Sequence, residues 1–442
     1  MSNRCKLPRF RTVEGTSLRS RFGAWVIAAA AAVISPSADA AGWRGDEQGA
    51  KATALAQAFT AQADDPSAVT YNPAGLAFLE DRAFAVGFAQ GLVSSNHFEG
   101  FDPVPGTGQD GQRRIDPESV PHAYWVEPVA RRWSIGLALT RGAAFEADWK
   151  RPDTWAGRFE ARHSRLRAWD LSSVAAVRVH ERWGLAAGLV TRVANFSWDR
   201  HETGFNPATQ ADEEIGRSGL NADPAIGLGA VVGILYRPDG RWSLGLRWRS
   251  EIAAELEGSA TFSQIPTGDP VFDVLAAGLL PFDQPVSWTA KIRFPERTVF
   301  GVAYALTPTA LLEIDLERTA WSTLNGTTLR FEGEPALDRL PFVGWESRIA
   351  VRIGLRWNGL GNGEWRAGLF LDPTPQPEAN LGPFFVGADR HGASIGFGTR
   401  VQRLQTDLAV VWEEHDDRST RTHGFDGSYA TRLLRMVLTF GW

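Results

Sequence analysis

The segment Tyr429–Trp442, YATRLLRMVLTFGW, constrains this chain more than any other part of it. A period of two places Leu434, Met436, Leu438, Phe440 and Trp442 on one face of a strand. Arg435, Thr439 and Gly441 fall on the other, with Val437 between them. A strand with an apolar outer face, a mixed inner face and a terminal aromatic residue is what closes the wall of an outer-membrane β-barrel. An edge strand of a soluble sandwich would also alternate, so the rest of the chain must separate the two readings.

The amino terminus favours export. Arg4, Lys6, Arg9, Arg11, Arg19 and Arg21 precede the apolar run FGAWVIAAAAAVI at 22–34, and Ala38-Asp39-Ala40 is a small-x-small cleavage site. The run is too short to span a bilayer as a helix. Residues 1–40 therefore read as a signal peptide. Past the signal the net charge is about −9, and the only cysteine, Cys5, has gone with it. Such a chain has no disulfide framework, thiolate metal site or thiol nucleophile, and no basic surplus for nucleic acid. Eighteen Trp and 25 Phe in a chain of slightly negative mean hydropathy suit a barrel with aromatic interfaces and a polar lumen.

Alternation recurs along the chain. Ile226, Leu228, Ala230, Val232, Ile234 and Tyr236 alternate with Gly227, Gly229, Val231 and Gly233. Trp242, Leu244, Leu246 and Trp248 alternate with Ser243, Gly245, Arg247 and Arg249, and Ile349 to Trp357 repeats the pattern around Arg352 and Arg356. Short turns near 130, 181, 239, 308, 360 and 402 alternate with longer gaps near 99–118, 147–159, 204–224, 264–285, 332–344, 373–389 and 417–428. Short inner turns and long outer loops are the barrel signature. Trp133, Trp183, Trp242 and Trp365 each follow a short turn, as an inner aromatic girdle requires. The expected fold is all-β: a closed transmembrane antiparallel barrel of about fourteen strands over 83–442. Residues 41–82 break the pattern. Gly49 to Ala63 has helical propensity, and a compact segment ahead of the first strand can sit inside the lumen as a hatch, or plug.

DDPSAVTYNPAGLAFLE, residues 64–80, resembles the amino-terminal hatch of FadL-type outer-membrane transporters, which carry long-chain fatty acids or aromatic hydrocarbons. Asp153 to Phe159 resembles that family's D-W-x-G-R-[YF] loop, and Tyr236-Arg237-Pro238 with Leu244 to Ser250 resembles one of its hairpins. Phe294-Pro295-Glu296-Arg297, Trp321-Ser322, Arg352 to Trp357 and Arg366-Ala367-Gly368 also fit. Trp248 stands where the family usually has Tyr, and Phe294 where it has Leu. The resemblance implies a hatch-gated barrel in the bacterial outer membrane, in contact with its lipid and lipopolysaccharide and acting as a monomer. It implies passive uptake of a hydrophobic small molecule, long-chain fatty acids first, without ATP or an energising partner. The eight His are scattered without metal-ligand spacing, and no cofactor is expected. The resemblance also implies lateral release at a kink in the third strand, where Gly136 and Gly142 would weaken pairing.

In that setting Asn72, Pro73, Ala74 and Gly75 form a gate: Pro73 fixes φ and Gly75 permits φ > 0. A purely structural turn is the other reading. Val271, Phe272, Leu275, Leu279, Leu280 and Phe282 lie in a loop too apolar for ordinary exposure, at spacings of one to two helical turns. They form either a foothold for substrate or a helix packed on the rim. Arg247, Arg249, Arg352, Arg356 and Arg366 face Glu313, Asp315 and Glu317 across the lumen, as a brace for the hatch or with one arginine holding a substrate carboxylate. Gly392-Ala393-Ser394-Ile395-Gly396 matches a nucleophile elbow but sits in an alternating run without a following helix. A barrel hydrolase and an adhesive barrel with a shut hatch remain the alternatives to transport.

Overall fold

The computed structural model describes residues 48–101, 111–113, 119–282, 284–359, 363–420 and 426–442. The expected signal peptide lies outside the described residues. One antiparallel sheet of nineteen strand segments forms the wall. The segments run β1 Ala83–Phe101, β2 Gly111–Gln112, β3 Ser119–Ala130, β4 Trp133–Asp148, β5 His163–His180 and β6 Trp183–Asn206. There follow β7 Ala211–Ala222, β8 Ala225–Tyr236, β9 Trp242–Arg249, β10 Ile252–Gln264, β11 Val286–Phe294, β12 Arg297–Thr307, β13 Ala310–Thr319 and β14 Arg330–Phe331. The last five are β15 Arg348–Trp357, β16 Gly363–Asp372, β17 Arg390–Val401, β18 Leu404–Thr420 and β19 Asp426–Gly441. The sheet closes because β19 pairs with β1 from Ala85↔Gly441 to Phe101↔Asp426. Closure leaves no lipid-facing edge. No helix among the described residues is long and apolar enough to cross a membrane.

Nineteen segments stand where about fourteen strands were expected: β2 and β14 are two-residue pieces, and three further breaks have physical causes. Pro224 and Pro295 bring no N–H to the ladder, so β7 separates from β8 and β11 from β12. Between β9 and β10, Ser250 Oγ accepts the Ala230 N–H at 2.9 Å, taking a place that a strand carbonyl would fill. The halves stay aligned: β6 pairs with both β7 and β8, and β7 and β8 meet β10 and β9. The expected gap at 204–224 is also corrected, since only residues 207–210 turn there. The run ADEEIGRSGLNA of β7 buries Ile215, Ser218 and Leu220, exposes Asp212 and leaves Glu213 and Glu214 half-buried. A strand standing clear of the lipid needs no apolar outer face, so its alternation is faint.

The lipid face is plain where membrane depth requires it. Ile226 and Leu228 are 67% and 66% exposed, while Gly227 and Gly229 between them face inward. At the short-turn end Trp183 stacks on Tyr236 (4.1 Å), Trp242 meets Tyr304 (4.5 Å) and Phe84 stacks on Trp442 (5.9 Å). This is the expected aromatic girdle.

Inside the wall, residues 50–77 are buried almost throughout. Only Ala50–Ala54 (α1) and Ala68–Tyr71 (α2) are α-helical, followed by a 3-10 turn Pro73–Phe78. The longer helix expected at 49–63 does not form. Ala56, Gln57 and Ala63 have φ of 51°, 68° and 40°, which no helix tolerates. Above this segment the lumen holds aromatic side chains, among them Phe145, Phe196, Trp288, Phe342 and Phe384.

Candidate functional site

The amino-terminal segment is held by wall side chains that reach its backbone. Asp315 Oδ2 accepts the N–H groups of Phe59 (3.2 Å) and Thr60 (3.1 Å). Glu313 accepts those of Ala61 (2.5 Å) and Gln62 (3.0 Å). Four amides turned toward the wall explain why the helix stops and the chain enters left-handed backbone. Ser394 Oγ donates to Ala54 O and accepts from the Ala56 N–H, both at 2.9 Å. The apparent nucleophile-elbow serine is therefore an anchor buried in β17. Thr439 Oγ1 accepts the Ala50 N–H at 2.9 Å, and Val437 packs beside Ala50 and Ala54.

The expected gate residues come together. Asn72 is fully buried; its Nδ2 donates to Thr60 O (2.7 Å) and to Ile234 O of the wall (3.1 Å), and its Oδ1 accepts the Ala74 N–H (3.2 Å). Pro73 opens the 3-10 turn, where its missing N–H costs nothing. Gly75 departs from the expectation. It is not among the residues with positive φ; it is needed because a Cβ there would strike the Ala63 carbonyl. Gly233 is bare for the same reason, since a Cβ would collide with Asn72 Oδ1. The alternation of Gly227, Gly229 and Gly233 in β8 carries a signal the sequence reading did not use, that a backbone lies close against that face.

The five expected arginines all point into the lumen; Arg352 meets the expected Glu317 (3.3 Å), and the other four have partners that differ from those expected. Arg247 donates to Thr70 O (2.6 Å) and Arg352 to Ala56 O (3.3 Å). Arg356 pairs with Asp64 (2.6 Å), which Lys51 also reaches (2.9 Å). Burial alone would raise the Asp64 carboxyl, but the charges of Lys51 and Arg356 hold it below its ordinary value. Arg366 joins Asp407 and Glu364, both at 2.6 Å, and never touches the segment's acids. Arg249 meets Asp170 at 3.3 Å, beside the bidentate Arg192–Asp170 pair at 2.7 Å. Glu317 joins Arg297 and Arg352, whereas Glu313 and Asp315 hold backbone rather than arginine.

A cavity of about 30 Å³ lies between the segment and the aromatic chamber. Arg141, Arg247, Arg249, Arg297 and Arg352 line it with two carboxylates, Asp170 and Glu317, and Asp372 stands behind Arg352 at 3.7 Å. Beside the cavity, the Arg192 guanidinium that pairs with Asp170 lies 4.4 Å from the Phe294 ring. The chamber itself is closed, with about 10 Å³ free among Phe145, Phe196, Trp288 and Phe342. The same cavity touches Thr140, Arg141 and Gly142 of β4. There β3 still pairs with β1 as far as Ser119↔Gln90, but its register with β4 ends at Ala123↔Leu139. Beyond that point Gln48 takes the strand's place. Its side chain donates to Arg141 O (2.8 Å) and accepts the Arg141 N–H (2.7 Å). Gly142 bulges at this seam, where a Cβ would strike Asp170 and Arg192.

The apolar outer loop forms the helix Pro270–Ala276 (α3), capped by Asp269 accepting the Val271 and Phe272 N–H groups. Its two faces divide the expected residues. Phe272 and Leu280 are buried and Phe282 packs on the barrel rim. Val271, Val274, Leu275 and Leu279 are 73%, 74%, 53% and 55% exposed. The rim-packed helix is therefore present, and its opposite side stands exposed.

The profile of the family described as "Outer membrane protein transport protein (OMPP1/FadL/TodX)" matches residues 31–428. The chain is 21% identical to the long-chain fatty acid transport protein of Escherichia coli O6:H1, over 86% of this chain and 88% of that one. Its fold is similar to a Pseudomonas aeruginosa FadL homologue, with TM-score 0.78, 19% identity and coverage of 91% of this chain and 99% of the other. It is also similar to the P. putida toluene transporter TodX, with TM-score 0.67, 15% identity and coverage of 91% and 99%. A closed barrel with no helical span among the described residues, holding a buried segment and matched by that profile over most of its length, belongs to the OMPP1/FadL/TodX family of outer membrane transport proteins.

Proposed function

We propose that this protein takes up long-chain fatty acids and related carboxylate amphiphiles passively across the outer membrane. One observation carries the choice of substrate: five arginines against two carboxylates around the cavity beneath the aromatic chamber. A neutral hydrocarbon gains nothing from that surplus, while a carboxylate finds charge-assisted donors in a site shielded from water. The chamber would take the acyl chain, with apolar burial worth about 0.8 kcal/mol per methylene.

Residues 48–79 then act as the hatch, with Asn72-Pro73-Ala74-Gly75 as its hinge against β8. Release runs sideways at the β3–β4 seam. The arginine cavity touches that seam, and Gln48 occupies the place of a ladder partner there. Freeing Gln48 would open a wall gap without breaking a continuous strand pairing. The exposed face of α3 serves as the foothold in the lipopolysaccharide layer, and the barrel works as a monomer. Likeness to a toluene transporter and the aromatic lining support a second reading, uptake of aromatic hydrocarbons by the same route. No enzymatic step is needed.

Uptake of labelled fatty acid and labelled toluene by cells lacking their own transporter separates these readings. Restored fatty-acid uptake that Arg249→Gln diminishes, with toluene uptake unaltered, is the expected result. Toluene uptake alone would move the substrate class to hydrocarbons. Neither substrate entering, with a folded barrel, would return the question to an adhesive or lipid-hydrolysing barrel, which a serine-reactive probe then tests.

A further inference from the structure

A second cavity opens at the outer mouth, between the loops 332–347 and 373–389 and away from α3. It encloses about 360 Å³, within the roughly 300–1,000 Å³ usual for small-molecule sites. One end carries Arg200 and Arg339. A single carboxylate, Glu202, serves both: it takes Arg200 at 3.0 and 2.7 Å and Arg339 Nη2 at 2.8 Å. Arg339 Nη1 is buried with no hydrogen-bond partner. Glu160 is the one acid among the lining residues; it stands beside Gly382, and its charge reaches both arginines from that side. Leu340 and Val343 leave apolar side chains exposed at the rim.

Phe384 forms the floor. Its ring lies 4.6 Å from Trp198 on the cleft side, and 5.5 Å from Phe145 in the chamber below. Pro341 lines both spaces. The backbone here is pinned: Ser164 Oγ donates to Phe384 O (2.6 Å) and Trp149 Nε1 to Pro383 O (3.2 Å). Asn380 Nδ2 donates to Val343 O (2.8 Å) and ties the two loops together. Phe385 also lines the cleft and lies 5.5 Å from Phe145, so Phe384 and Phe385 together form the partition. A fixed backbone under two neighbouring rings lets the passage open by side-chain rotation, without loop unfolding.

We propose that this cleft is an entry site for amphipathic carboxylates, separate from the α3 face, with Arg339 holding the head group and the Phe384 and Phe385 rings dividing entry from chamber. The inference rests on the uptake reading above for its purpose, but its binding can be measured alone. Gly382→Trp fills the cleft, because a Cβ at Gly382 meets only Glu160, at an ordinary 3.6 Å. Arg339→Gln removes the charge and keeps much of the volume.

The test is equilibrium binding of labelled dodecanoate and dodecanol to the full-length barrel in nanodiscs, beside uptake in cells. Heat-modifiable gel mobility verifies that each variant is folded. Gly382→Trp should remove one binding site for both ligands. Arg339→Gln should weaken dodecanoate at that site about tenfold and dodecanol less than twofold, as expected when about 1.4 kcal/mol of charge-assisted bonding is lost. Unaltered stoichiometry and affinity in both folded variants would overturn the proposal. Loss of the site in Gly382→Trp with no uptake by any cells would uphold the cleft and sink the transport reading alone.

Discussion

Replacing Glu313 by alanine should undock the amino-terminal segment while leaving the barrel folded. Glu313 accepts two backbone N–H groups, from Ala61 and Gln62. Bonds of this kind contribute about 1–3 kcal/mol each, so the loss is about 2–6 kcal/mol of docking. The segment also stores strain that opposes docking. Ala56, Gln57 and Ala63 sit at positive φ, at about 1–2 kcal/mol each. Asp315, Ser394 and Asn72 still hold neighbouring residues, so the segment should loosen between Phe59 and Ala63 first. Hydrogen exchange read by mass spectrometry should accelerate there by at least about 30-fold, the equivalent of 2 kcal/mol, with wall strands unchanged. Single-barrel conductance in planar bilayers should rise in parallel. Unchanged protection at residues 59–63 in a folded variant would refute the view that wall carboxyls hold this segment in place.

Other perturbations test the remaining parts. Gly75→Ala should destabilise the segment more than Gly240→Ala does, because a methyl at 75 strikes the Ala63 carbonyl whereas Gly240 has open space; conductance noise reads the difference. Leu275→Glu with Val271→Glu should lower uptake at low substrate concentration at least threefold without changing gel mobility, since neither side chain is buried. Asp64→Asn should make the barrel leaky at neutral pH. The wild-type Asp64 carboxyl is held below its ordinary value, so its contribution is complete above the ordinary carboxylate range and fades only in strong acid. Wild-type conductance should therefore stay flat from about pH 8 to pH 5, and a leak appearing within that window would count against the Lys51–Asp64–Arg356 brace. Gln48→Ala removes both bonds to Arg141 and should speed release at the β3–β4 seam, measured as faster transfer of preloaded fatty acid into vesicle lipid.

The wall was legible because its signals are local. Each Trp after a short turn and each Ile or Leu alternating with Gly declares its face within a few residues. The faint stretch was β7, where the strand rises beyond the lipid and an acid can occupy either side. Pro295 breaks a strand that alternation alone reads straight through, and the alignment of the two halves across neighbouring strands is visible only in the closed sheet. The interior is a different problem. Thr140, Asp170, Arg249, Arg297, Glu317 and Arg352 share one cavity only because six strands bring them there, and no spacing in the chain predicts that meeting. Charge assignment shows the limit well. Alternation placed Glu313 and Asp315 in the lumen correctly but paired them with arginine, because a sequence offers no means of seeing four backbone amides arriving from residues 59–62. The outer mouth was missed for a simpler reason. Gly382-Pro383-Phe384-Phe385-Val386 is as apolar as the 271–282 loop. The argument that singled out Phe272 and Leu280 applies equally to Phe384, whose burial and ring contacts place it over the chamber. An apolar run in an outer loop of such a barrel therefore marks a segment that folds back onto the rim or into the lumen, and the side chains it leaves exposed are those available to a hydrophobic substrate.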